Sequence, residues 1–207
     1  GKGINGLTAP SETLDVGNSG TTIRLISGIL AAQNFNSTLN GDASIQKRPM
    51  NRIIKPLSQM GAEIESTNNG YAPLTIHGKK LKAMEYTMPV ASAQVKSSIL
   101  LASLFAEGTT TIIEPVASRD HTEIMLNYFG ANIKNENGVI TSTPVEELYG
   151  KNLEVPGDIS SAAFFMVAGL VVPNSHIIIE NVGINPTRTG IIDALKAMGG
   201  YVEIINE

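Results

Sequence analysis

Leu57-Ser58-Gln59-Met60-Gly61-Ala62-Glu63-Ile64 is matched by Leu126-Asn127-Tyr128-Phe129-Gly130-Ala131-Asn132-Ile133, and again by Leu195-Lys196-Ala197-Met198-Gly199-Gly200-Tyr201-Val202. Gly61, Gly130 and Gly199 stand 69 positions apart. Each segment reads as an apolar-periodic helix stopped by a glycine that tolerates positive φ, followed by an alternating strand. Self-similarity at a fixed period marks a chain built from one repeated supersecondary unit.

Other features keep the same phase. Asn69-Gly70 and Asn137-Gly138 follow the first two strands, and Asn-Gly is the strongest short hairpin signal. A second helical pattern precedes each glycine-stopped helix, at about Thr21–Ala32, Ser92–Phe105 and Ser160–Val172. Strand-like stretches lead into these helices at Leu14–Val16, Met88–Val90 and Leu153–Val155. Others follow them at Ser37–Leu39, Thr109–Ile113 and His176–Ile179. The expected fold is therefore α/β (α+β), with tandem β-α-β-α-β-β units of about 69 residues. The third unit reaches Glu207 where its last hairpin is due, so its final strand is not expected here. Pro56 falls inside a predicted helix, where it removes a backbone hydrogen bond.

Composition narrows the function classes. The 207 residues include no Cys and no Trp, which excludes a disulfide framework, a thiolate metal site and a cysteine nucleophile. With 15 basic against 19 acidic residues, the net charge of −4 supplies no footprint for nucleic acid or an anionic membrane. The apolar run Ala162–Val172 is too short to span a bilayer. No basic-then-apolar leader opens the chain, which points to the cytoplasm. The opening Gly1-Lys2-Gly3 lacks a methionine, and reads as a processed start or as a piece of a longer protein.

Polar chemistry collects in loops at equivalent places of the repeat. Asp15-Val16-Gly17-Asn18-Ser19-Gly20-Thr21-Thr22-Ile23-Arg24 joins a strand to a helix. Small residues there admit an anion to the helix N-terminus, although Asn18 or Ser19 acting as a plain N-cap explains the loop equally well. Ser92-Ala93-Gln94-Val95-Lys96-Ser97 and Gly157-Asp158-Ile159-Ser160-Ser161 are the counterparts. They are either capping sequences or three walls of one polar cavity. Before the glycine-stopped helices come Lys47-Arg48-Pro49, Ser118-Arg119-Asp120-His121 and Pro186-Thr187-Arg188-Thr189. Arg119 and Arg188 stand 69 positions apart and Arg48 two positions out of phase; a guanidinium so repeated suits phosphate or carboxylate, where a lone arginine more often makes a surface ion pair. His77 and His176 read as structural. No metal-ligand spacing occurs, and these residues alone identify no general acid, base or nucleophile.

The same stretches, together with Met50, Thr122-Glu123, Ala162-Ala163 and Asn185, resemble the enolpyruvyl transferase family over the whole chain. The resemblance is to the branch that acts on shikimate 3-phosphate, in the bacterial form with Ser-Ala-Gln at 92–94 that is often less sensitive to glyphosate. It implies an inside-out α/β barrel fold, incomplete here. Residues 1–156 would hold two units of one globule and 157–207 the first unit of a second; the alternative is one three-unit globule over 1–207. The implied reaction moves the enolpyruvyl group of phosphoenolpyruvate to the 5-hydroxyl of shikimate 3-phosphate, in aromatic amino-acid biosynthesis. It needs no metal or organic cofactor, and glyphosate is the implied inhibitor.

By motif, Ser92, Ala93, Gln94, Ser118 and Arg119 would line the shikimate 3-phosphate site. Asn18, Gly20, Thr21, Arg48 and Gln94 would surround phosphoenolpyruvate. The family's acid–base residues would lie outside these 207 positions, so the chain alone is expected to be inactive, with no catalytic residue assigned. The parent would be a monomer, while unpaired strand edges would favour self-association of this piece. Runners-up are the UDP-N-acetylglucosamine branch, which usually carries a loop cysteine, and a non-catalytic scaffold. RNA 3′-phosphate cyclases share the repeat but fit poorly with the acidic balance.

Overall fold

The computed structural model describes residues 2–3 and 6–205, and divides into two units, Gly1–Lys151 and Asn152–Glu207. In the first unit, β1 (Leu14–Asp15), α1 (Gly20–Ala31), β2 (Asn36–Asn40), α2 (Asn51–Gln59), β3 (Glu63–Thr67) and β4 (Tyr71–His77) form one repeat. A second follows as β5 (Glu85–Thr87), α3 (Ala93–Ser103), β6 (Thr110–Ile113), α4 (His121–Tyr128), β7 (Asn132–Glu136) and β8 (Val139–Thr143). Their sheets have the same topology, β1-β2-β4-β3 and β5-β6-β8-β7. In each, the first two strands are parallel and the remaining pairs antiparallel. Neither sheet closes into a barrel among the described residues.

Local chemistry explains the boundaries. Gly61 and Gly130 end α2 and α4 at φ +98° and +99°, as the glycine stops require. Asn137 and Gly138 both have positive φ between β7 and β8, the geometry of a two-residue hairpin turn. Pro73 interrupts β4, and the register with β3 shifts opposite it at Ser66/Thr67, because proline supplies no ladder donor. Pro56 is buried within α2, which runs on through it; the carbonyl deprived of a helical donor belongs to exposed Arg52.

The strand expected at Met88–Val90 lies three residues earlier, at Glu85–Thr87. Met88 N–H still reaches Ile113 O at 2.9 Å, but Pro89 cannot continue the pairing.

The first unit has one continuous core, filled by Ile23, Leu39, Ile53, Leu57, Leu74 and Ile76 from the first repeat. Val95, Ile99, Leu100, Ile112 and Ile140 extend it through the second. Each such side chain taken out of water contributes about 1.5–3 kcal/mol. Helices α1 and α3 lie against each other, with Gly28 of α1 facing the backbone of α3. A Cβ there would stand 2.1 Å from Ser98 O and 3.3 Å from Ala102 N.

The second unit holds α5 (Ile159–Val171) and α6 (Gly190–Ala197), with one parallel bridge, Gly157 to Val182. The strands expected at Leu153–Val155 and His176–Ile179 are absent from it. In the first two repeats, β2 and β6 are held between a first strand and a fourth one. Among the described residues the third repeat has no counterpart of β4 or β8 to supply that pairing. Helix α5 is apolar on all sides, yet Phe164 is 79% and Phe165 61% exposed. No helix among the described residues is long and apolar enough to cross a membrane.

Candidate functional site

The capping reading holds for each loop, and it identifies which side chains are already committed. Ser19 caps α1 by accepting from Thr22 N–H at 3.1 Å, and its hydroxyl also lies 2.8 Å from that of Thr22. Ser92 caps α3, with Val95 N–H at 3.5 Å, and Asp158 caps α5 through Ser161 N–H at 3.0 Å. Asn18, the other candidate cap, is exposed in the loop before α1.

The remaining groups of the first two loops come together. Arg24 stands one helical turn beyond Gly20, on the same face of α1. Its Nη1 donates to Gln94 Oε1 at 2.6 Å, and its Nη2 donates to Pro49 O at 3.3 Å. Gln94 Nε2 donates to Thr21 Oγ1 at 2.8 Å. Thus the first turns of α1 and α3 share one hydrogen-bonded cluster. Arg48 enters from the segment before α2, steadied by an Nη2 bond to Ser44 Oγ at 3.0 Å. A Cβ at Gly20 would meet Arg48 Nη1 at 2.9 Å and Arg24 Nη1 at 3.5 Å. Both guanidinium groups therefore close over the first residue of α1, where a side chain would stand in their way.

Three cations crowd this corner. Burial, then the charges of Arg48 and Arg52, pull the Arg24 pKa below its ordinary value. Arg24 Nε is also a buried donor with no hydrogen-bond partner. Like charges held together at a helix N-terminus, with donors in excess of acceptors, make a site for an anion. Arg24 lies in the motif read from the sequence, yet only the i, i+4 relation to Gly20 hints at its role.

Ser118 and Arg119 occupy the segment between β6 and α4. Arg119 is exposed and forms no side-chain hydrogen bond or ion pair with the described residues. Ser118 is tied inward, its hydroxyl making a short hydrogen bond to Glu114 Oε1. Glu114 Oε2 in turn accepts from Lys96 Nζ at 2.9 Å, and the same ammonium lies 3.5 Å from Ser118 O. Glu123 Oε1 is 2.7 Å from Lys96 Nζ, an ion contact off the hydrogen-bond axis. Lys96 is fully buried and both carboxylates nearly so. Ser97 and Thr122 hydroxyls, 2.6 Å apart, add a second link between α3 and α4. No sequence pattern separated Lys96 from an ordinary exposed lysine.

In the second unit, Arg188 Nη2 bonds to Ser160 Oγ and lies 3.5 Å from Asp158 Oδ1, so arginine and helix start pair there too. No group of three metal-ligating side chains occurs among the described residues.

The first unit thus defines a tandem-repeat α/β protein in which arginines gather at two neighbouring helix N-termini. A profile of the EPSP synthase (3-phosphoshikimate 1-carboxyvinyltransferase) family matches residues 1–207, and the chain belongs to that family. It is 58% identical over 207 residues to the 3-phosphoshikimate 1-carboxyvinyltransferase of Thermoanaerobacter sp. (strain X514), covering 100% of this chain and 49% of that protein. It is 59% identical over 207 residues to the Alkaliphilus metalliredigens protein of the same name, covering 100% of this chain and 48% of that one. Among solved structures, EPSP synthase from Acinetobacter baumannii superposes with a TM-score of 0.87 at 53% identity. That match covers 95% of this chain and 44% of that one. The chain spans about half the length of the curated relatives it matches.

Proposed function

We propose that the chain is the part of an enolpyruvyl transferase that receives the phosphates of shikimate 3-phosphate and phosphoenolpyruvate. The observation that carries this reading is the closure of Arg24 and Arg48 over Gly20, bridged to α3 through Gln94. The reaction forms a bond from the 5-hydroxyl oxygen of shikimate 3-phosphate to C2 of phosphoenolpyruvate. It breaks the C2–O bond to phosphate, with a proton added to the methylene carbon and later removed, while the proton lost by the 5-hydroxyl leaves with the phosphate.

In this reading Arg48, Arg24 and Thr21 hold the phosphoenolpyruvate end, and Gly20 and Asn18 leave room for it. Gln94 stands between the two substrates. Ser92, whose hydroxyl proton is not used by its cap, Ala93, Ser118 and Arg119 hold shikimate 3-phosphate. Positive charge placed before the substrates arrive stabilises the charge that develops as phosphate departs. No carboxylate or imidazole is hydrogen-bonded into the arginine cluster among the described residues, so these side chains bind and orient rather than move protons. In this reading the 207-residue polypeptide binds substrate, and the groups that move protons are supplied from elsewhere in the parent. The first two repeats belong to one globule of the parent and the third to the other, and glyphosate binds at the phosphoenolpyruvate end.

Titration with shikimate 3-phosphate, with shikimate as control, tests the reading. Saturable binding that requires the phosphate supports it. A folded chain that ignores both compounds overturns it.

A further inference from the structure

We propose that Glu114, held by the buried ammonium of Lys96, is the positioning residue that sets Ser118 and Arg119 for shikimate 3-phosphate. This rests on the function proposed above.

Comparison of the repeats isolates what the buried charges do. Lys96 is the fourth residue after the α3 cap, Ser92; the same position after Ser19 is Ile23, and after Asp158 it is Ala162. Glu123 is the third residue of α4; its counterparts in α2 and α6 are Ile53 and Ile192. All four counterparts are apolar and buried. The β-α-β-α-β-β unit therefore folds with aliphatic side chains at these two places. Burying an ion pair there is no better for stability than hydrophobic packing, since desolvation offsets the attraction.

What the second repeat gains is a grip on one segment. Glu114 uses one carboxylate oxygen for Lys96 and the other for the Ser118 hydroxyl. Lys96 reaches the Ser118 carbonyl as well. The backbone of Glu114 is itself pinned, its N–H donating to Gly138 O at 2.8 Å in the β7–β8 turn. Ser118 is held at both its hydroxyl and its carbonyl, next to Arg119, whose side chain is left unengaged. Lys96 sits two residues beyond Gln94 on α3, so the same helix carries the groups of the arginine cluster and the anchor of the Ser118 segment. Because Ser118 gives its proton to Glu114, its hydroxyl meets a ligand as an acceptor, and the segment's cation is Arg119.

The charges permit a clean test. Lys96 faces two carboxylates, so neutralising Glu114 leaves Lys96 paired one-to-one with Glu123. Glu114→Gln keeps an acceptor for Ser118, whereas Glu114→Met fills similar volume without one. In the ligand-free protein, Glu114→Met is expected to drop the backbone 15N order parameters of residues 116–119 from about 0.85 to below about 0.6 while α3 stays rigid. The affinity for shikimate 3-phosphate is expected to fall by about tenfold. Inorganic phosphate binding at Arg24 and Arg48 stays unchanged, and Glu114→Gln, whose single oxygen serves Ser118 or Lys96 but not both, falls between wild type and Glu114→Met in the other two measurements.

Should Glu114→Met fail to fold, Ser118→Ala breaks the same hydrogen bond from the other side, and the order parameters should fall alike. Unchanged order parameters in the folded variant overturn the proposal, as do lowered ones with undiminished shikimate 3-phosphate affinity. If they fall as expected but the wild-type chain itself binds no shikimate 3-phosphate, the failure belongs to the proposed function and not to the tether.

Discussion

Gly28 of α1 and Ser98 of α3 meet so closely that a Cβ on the glycine would stand 2.1 Å from the serine carbonyl oxygen. Each lies one helical turn beyond a partner in the site, Gly28 beyond Arg24 and Ser98 beyond Gln94. The close approach of the two backbones therefore sets the 2.6 Å hydrogen bond between Arg24 and Gln94. Replacement of Gly28 by Ala forces the helices apart, because the obstacle is backbone and has no rotamer to change. The expected loss is about 3 kcal/mol of stability, seen as a lower urea midpoint, with weaker phosphate binding by the folded fraction. An unchanged midpoint contradicts the packing described.

Gly20→Ala behaves differently. Its nearest obstacle is Arg48 Nη1 at 2.9 Å, the far end of a flexible side chain. Gly20 is the first residue of α1, where only part of the roughly 0.5–1 kcal/mol penalty of a mid-helix glycine is felt, so thermal stability is expected to hold. The displaced guanidinium no longer converges with Arg24, and phosphate affinity is expected to fall by about tenfold or more. Calorimetry on the folded variant checks both halves of that expectation.

Without an anion, Arg24, Arg48 and Arg52 repel one another, and burial adds to the strain on Arg24. Arg48→Ala is expected to stabilise the ligand-free protein by about 0.5 kcal/mol at low salt. Wild type should gain several degrees of melting temperature in millimolar phosphate, while the variant gains little. Equal phosphate responses in both proteins would remove Arg48 from the anion site.

The second unit supplies a pH-dependent signal of its own. Hydrogen bonds from the backbone N–H groups of Ser160 and Ser161 and from the Ser161 hydroxyl, with the charge of Arg188, lower the Asp158 pKa below its ordinary value of 3.8. A depressed acid contributes stability that is complete above the unfolded pKa and is lost as pH falls through the lower folded value. The α5 cap should therefore persist at neutral pH and fail only below about pH 4. In Asp158→Asn, which still caps a helix, the acid loss of α5 helicity followed by NMR should disappear.

Much of this fold was legible because the repeat states it three times. Helix starts at Ser19, Ser92 and Asp158, and stops at Gly61 and Gly130, follow from cap and glycine chemistry that acts within a few residues. Strands were less legible because they need partners. Met88–Val90 gave way to Glu85–Thr87 at Pro89, and the third repeat formed no sheet. The arginine cluster was readable in part: Gly20, Thr21, Arg48 and Gln94 stand in recognisable loops, but their convergence depends on how α1 packs on α3. Lys96, Glu114 and Glu123 were hidden, since burial of a charge is decided by tertiary contacts and leaves no local pattern.

The most direct measurement is calorimetric titration of the 207-residue chain with shikimate 3-phosphate, beside shikimate and the Arg119→Ala variant. The expected result is saturable binding that requires the phosphate and weakens by about tenfold or more without Arg119. A folded chain that binds neither compound, or an Arg119→Ala variant that binds as tightly as wild type, would contradict the assignment of these loops to shikimate 3-phosphate.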